Sequence, residues 1–70
     1  MSNNAETVLA FVRQAALYIA ELKSLSIEDA LSFVYNSETF RLIDESKLDN
    51  MNVQQLLDIF KKELVSGRVQ

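Results

Sequence analysis

The stretch Thr7–Leu22, TVLAFVRQAALYIAEL, is the feature that any fold of this chain has to accommodate. It is the longest apolar-rich run and is interrupted only at Arg13, Gln14 and Glu21. At helical period, Val8, Phe11, Val12, Ala15, Ile19 and Leu22 form one inner line. Leu9, Ala16, Tyr18 and Ala20 lie beside it and widen the apolar arc past half of the helix surface. A helix that covers one side of a small core needs a narrower stripe. This helix is therefore expected to be central in its domain or shared with a second chain.

Seventy residues make one domain, and a chain of this length buries only about 60% of its unfolded surface. Domains this small usually add a disulfide, a metal or a partner chain. The sequence has no Cys, so disulfides and thiolate sites are excluded, and no His, so carboxylates are the only metal ligands left. Oligomerisation or a well-packed helical core remains as the source of stability. The net charge of −3 argues against nucleic acid, where phosphate contacts need clustered Lys and Arg, and against an anionic membrane surface. No apolar run reaches the roughly 18 residues of a spanning helix. The N-terminus lacks the basic start of a signal peptide, so a cytoplasmic setting is expected.

With no Pro and a single Gly, the helix boundaries must come from caps. Asn3 stands three residues before Glu6, a capping-box spacing, and predicts a first helix from about Asn4 to Lys23. Ser24-Leu25-Ser26 ends it. Ser26 reads as the next N-cap, with Leu25 placed to staple over Ala30. The second helix is expected over residues 27–35, burying Ile27, Ala30, Leu31 and Val34, and packed close to the first. Ser37 predicts a short third helix over 38–44, with Phe40 and Ile43 inward; one bent helix from Ile27 to Glu45 is the alternative. Residues 44–50 read as a polar loop. Asn52, with Gln55 three residues on, starts the last helix over 53–65, with Val53, Leu56, Leu57, Phe60 and Leu64 inward. Gly67 is a natural C-terminal cap, and Arg68–Gln70 reads as a frayed tail. No strand pattern is present. The fold class is all-α, a small bundle of three to four helices in one domain over 1–70.

Most chemistry can be set aside. Nucleophilic catalysis by Ser or Thr usually needs a His or Lys base, and Lys23, Lys47, Lys61 and Lys62 stand in polar contexts. The only Gly, Gly67, cannot make a phosphate loop. A calcium loop starting at Asp44 fails at its fifth, sixth and twelfth positions, which hold Leu48, Asp49 and Gln55. No catalytic residue, metal ligand or cofactor is predicted, and the chain reads as non-enzymatic.

A helix-turn-helix regulator of DNA is the alternative function. Its recognition helix, 38–44, would offer only Arg41 to a phosphate or a guanine edge. Between Ser26 and Asn50 the acids Glu28, Asp29, Glu38, Asp44, Glu45 and Asp49 stand against Arg41 and Lys47, a local net charge of −4 that DNA would repel. The acidic middle could face a basic partner protein, although helix starts collect acids in any case.

Phe11, Phe40 and Phe60 fall on inward lines. Tyr18, Phe33 and Tyr35 lie at flanks, where amphipathic aromatics are enriched at interfaces. Leu9, Leu17 and Ile59 also lie off the main faces. The expected function is protein–protein interaction, with self-association through the first helix as a homodimer or binding of another protein. Its contact surface is expected at Leu9, Ala16, Leu17 and Tyr18, flanked by Phe33, Tyr35 and Ile59.

The stretch Leu25–Phe40, LSIEDALSFVYNSETF, with its polar loop and a final helix ending Lys-Lys-Glu-Leu, resembles a group of small acidic bacterial proteins of unknown function. The shared pattern rests on Ser26, Glu28, Asp29, Ala30, Leu31, Tyr35 and Ser37, and covers about half of the chain. Some members are encoded beside genes read as toxins. The resemblance implies an all-helical fold, a bacterial cytoplasmic setting and an antitoxin-like or accessory binding role. It transfers no catalytic residue.

Overall fold

A computed structural model describes residues 5–48 and 50–67 of the chain. Four helices follow one another: α1 (Ala5–Lys23), α2 (Ile27–Tyr35), α3 (Glu38–Asp44) and α4 (Val53–Ser66). No strand occurs among the described residues. The break between α2 and α3 is real, and α4 runs one residue past the expected Val65. The expected Asn3 cap, the helix start at Asn4 and the tail at Arg68–Gln70 lie outside the described residues.

The chain uses short polar side chains for punctuation. The Ser26 hydroxyl accepts the backbone N–H of Asp29 at 3.2 Å and starts α2. The Ser37 hydroxyl accepts from the backbone of Phe40 at 3.1 Å and donates to the Val34 carbonyl at 2.6 Å. It thereby closes α2 and opens α3 with one side chain. Asn52 and Gln55 form a complete capping box, each side chain accepting the other's backbone N–H at 2.9 Å. Gly67, at φ 82°, ends α4 in the left-handed conformation, its N–H donating to the Glu63 carbonyl at 2.7 Å.

Two helix ends use the same device without a glycine. Ser24 (φ 55°) and Ser46 (φ 59°) take the left-handed conformation just after α1 and α3. Behind them, the Leu25 N–H reaches the Ala20 carbonyl at 2.9 Å and the Lys47 N–H reaches the Leu42 carbonyl at 2.8 Å. These are the back-bonds that satisfy the last free carbonyls of a helix.

One apolar cluster joins the four helices. Phe11, Ala15 and Ile19 of α1, Ala30 and Val34 of α2, and Leu56 and Phe60 of α4 are all fully enclosed, and Ile43 of α3 is nearly so. Phe60 is the hub, with Phe11 and Phe33 both edge-on to it at ring centroid distances of 5.9 and 6.4 Å. Burying a side chain of this size contributes about 1.5–3 kcal/mol before packing terms. Alanines at 15, 16 and 30 let backbones approach, and α1 packs more extensively on α2 than on any other helix.

The inward assignments need two corrections. Leu22 lies on the inner line of α1 yet is 57% exposed, and Ile27 is 44% exposed. Both stand at helix ends, the last turn of α1 and the first residue of α2, where no neighbouring helix covers them. Periodicity gives the direction of a side chain but not how far along the axis the cover extends. In α3 Phe40 packs half-buried against the cluster as expected, its ring edge-on to Tyr35 at 5.0 Å, and Thr39 is fully buried beside it.

Candidate interaction face

Two residue rows, each at a spacing of four, form the edges of a groove between α1 and α2. Leu9, Arg13 and Leu17 supply one edge; Ile27, Leu31 and Tyr35 supply the other. Val12 and Ala16 close the floor. The spacing is the physical cause: residues four apart on a helix form a ridge, and two packed helices present two such ridges with a furrow between them. The furrow holds about 470 Å³, enough for several apolar side chains. Its rims are open, with Leu9 58% and Leu17 57% exposed and Tyr35 exposed to about half.

Charge is sparse on this face. Arg13 is exposed and sits between the two leucines. Glu21 follows Leu17 by four residues and is also exposed. Among the described residues neither has an ion-pair or hydrogen-bond partner. The ion pairs instead lie on α3 and its C-terminal turn, where Arg41 contacts Glu38 at 3.3 Å and Glu45 at 3.2 Å, and Lys47 approaches Glu45 at 3.8 Å.

The corner where α4 meets α3 is built differently, although Tyr35 borders both it and the groove. Glu63, on α4, reaches across to the start of α3. One of its oxygens accepts the backbone N–H of Glu38 at 2.9 Å; the other accepts the backbone N–H of Thr39 at 2.9 Å and the Thr39 hydroxyl at 2.7 Å. A helix start leaves its first N–H groups without intrahelical partners, and a carboxylate suits both them and the positive helix end. Here α4 supplies it, and the three bonds consume the carboxylate as a ligand for anything else. The cleft beside this corner, lined by Tyr35, Asn36, Ser37, Glu38, Phe40, Arg41 and Asp44, is polar, with its Ser37 hydroxyl engaged in capping and its Glu38 paired with Arg41. No group of three or more acids, His or Cys that could hold a metal exists among the described residues. None of the described helices is long and apolar enough to cross a membrane.

Comparison with known protein families, curated proteins and solved structures yields no match.

Of the residues expected at the contact surface, the structure brings Leu9, Leu17 and Tyr35 to one groove. Ala16 is not an exposed contact: it is fully buried, because α2 closes over its small side chain. The other three are scattered. Tyr18 holds the Lys61 ammonium 4.9 Å from its ring centroid, on the α4 side of α1. Phe33 is edge-on to Phe60, and Ile59 is half-buried on α4. Sequence reading missed Ile27 and Leu31 as groove residues because it sent both to the core. Their spacing to Tyr35, at eight and four residues respectively, was the available signal.

Proposed function

We propose that this chain is a non-enzymatic interaction module whose contact surface is the groove between α1 and α2, and that it pairs with a second copy of itself. The observation that carries this reading is the row of apolar residues left open on a seventy-residue chain. Leu9, Leu17, Ile27 and Tyr35 adjoin one another around a single furrow rather than being spread singly over the surface. Scattered exposed leucines are ordinary, whereas a contiguous apolar patch marks a contact site. Covering such a patch also suits a domain whose own core is thin.

The antitoxin-like or accessory-subunit role implied by the resemblance belongs to the same class, since either would use a docking surface. The helix-turn-helix alternative gains nothing comparable. The only cation of α3, Arg41, lies between two carboxylates, and α3 offers no other basic side chain.

The test is light scattering on the eluting peak of a size-exclusion column, loaded over a range of concentrations. The reading predicts a mass that rises above 8.0 kDa with loading in the natural protein. It predicts 8.0 kDa throughout for Leu9→Lys/Leu17→Lys. A natural protein that stays at the single-chain mass at every loading sinks the self-pairing reading.

A further inference from the structure

Arg13, Leu17 and Glu21 form one ridge on the outer side of α1, a cation and an anion each four residues from a central leucine. All three are exposed, and the two charges have no partner among the described residues. A row of this kind is complementary to itself when reversed. In an antiparallel pair of α1 helices with a two-fold axis at Leu17, position 13 of one copy faces position 21 of the other. The same operation produces the second, equivalent pair.

Resting on the self-pairing reading above, we propose that the occupant of this face is a second copy of the chain, crossing antiparallel with Leu17 at the two-fold axis and two Arg13–Glu21 ion pairs flanking it. Helix geometry permits this. Ridges of spacing four run about 26° off the helix axis, so two of them align when the helices cross at about −50°, the commonest packing class. At that angle the ridge of one copy lies alongside the ridge of the other. Each Leu17 leans toward the Ile27 end of the other copy's groove.

Other registers are worse. An axis at Arg13 sets the two guanidinium groups against each other. An axis between Arg13 and Gln14 sets Glu6 against Glu21. An axis between Leu9 and Ala10 pairs Glu6 with Arg13, but it leaves Glu21 without that cation. Only the axis at Leu17 buries the exposed leucine and neutralises both charges. Like-charge juxtaposition across an interface penalises wrong registers, which is how such pairs fix alignment.

The experiment is a charge-reversal cycle read by sedimentation equilibrium on the full chain at low salt, with helicity of each variant checked by circular dichroism. Arg13→Glu and Glu21→Arg each turn two attractive pairs into two repulsive ones. Each single variant is expected to weaken dimerisation by about tenfold or more. The double variant R13E/E21R restores opposite charges with their places exchanged and is expected to return to within about threefold of the natural protein. Raising the salt should shrink the difference between the single variants and the natural chain. If the natural protein dimerises but the single variants do so equally well, or the double is as weak as the singles, the register is wrong while the self-pairing reading stands. If the natural protein is monomeric at every concentration, both fall together.

Discussion

The α3–α4 corner and the α1–α2 groove, which meet at Tyr35, treat their polar groups differently. At the corner where α3 meets α4, polar groups are used up internally. Glu63 accepts three bonds, the Ser37 hydroxyl both donates and accepts, and Arg41 lies between Glu38 and Glu45. On the α1–α2 side, large apolar side chains are left uncovered, and Arg13 and Glu21 go unpaired among the described residues. The first pattern stabilises one chain. The second leaves interactions available to another. A seventy-residue chain has too little surface to do both everywhere, and the proposed contact face accordingly lies away from the best-bonded residues.

This contrast can be broken most severely at the hub that joins both regions. Phe60→Ala removes the fully buried ring that Phe11 and Phe33 both touch. The expected cost is about 3–5 kcal/mol, comparable to the whole stability of a domain this size. Loss of the cooperative thermal transition in circular dichroism would show it.

The α3–α4 corner comes next. Glu63→Ala leaves two backbone N–H groups and the Thr39 hydroxyl without their acceptor. A loss of about 2–3 kcal/mol is expected, read as a lowered urea midpoint with little change in slope. Glu63→Gln keeps one carbonyl acceptor and should recover part of that loss. If alanine and glutamine variants are both as stable as the natural protein, the corner is not the structural lock described above.

The smallest effects on folding are expected at the helix ends and on the open face. Ser24 and Ser46 hold left-handed backbones that glycine adopts at less cost. Ser24→Gly is expected to stabilise by about 0.5 kcal/mol, the relief of backbone strain exceeding the added freedom of the unfolded chain. Thermal melts of dilute protein would register this as a rise of a few degrees. Leu17→Lys should leave the melt of dilute protein within about 0.5 kcal/mol of the natural chain, since the side chain is mostly solvated there. It should nonetheless abolish association. A large loss of fold stability from Leu17→Lys would move that residue from the interface to the core.

The contrast between the two regions also explains what could be read from the residues alone. Ser26, Ser37, Asn52 and Gly67 announced the helix boundaries because capping is local chemistry, acting over three or four residues. The Glu63 lock was silent, since it joins residues 24 and 25 apart and Glu63 looks like any solvated acid near a helix end. The left-handed serines were equally silent, because the position they occupy is most often announced by glycine. On the proposed contact face, the broad apolar arc of α1 was legible and its outcome was not. Ala16 vanished under α2, Tyr18 turned toward Lys61, and Ile27 stayed open at the start of its helix. Which flank a neighbouring helix covers depends on crossing angle and helix length, and neither is written in the period of one segment.

The most direct test is a methyl-resolved NMR dilution series of the natural protein, from about 10 μM toward about 1 mM, which spans weak to moderate self-affinity. The account predicts concentration-dependent shifts at the methyl groups of Leu9, Leu17, Ile27 and Leu31, with Ile43, Val53 and Leu57 unmoved. Spectra that do not change over that range, or shifts centred on the α3–α4 corner, would contradict it.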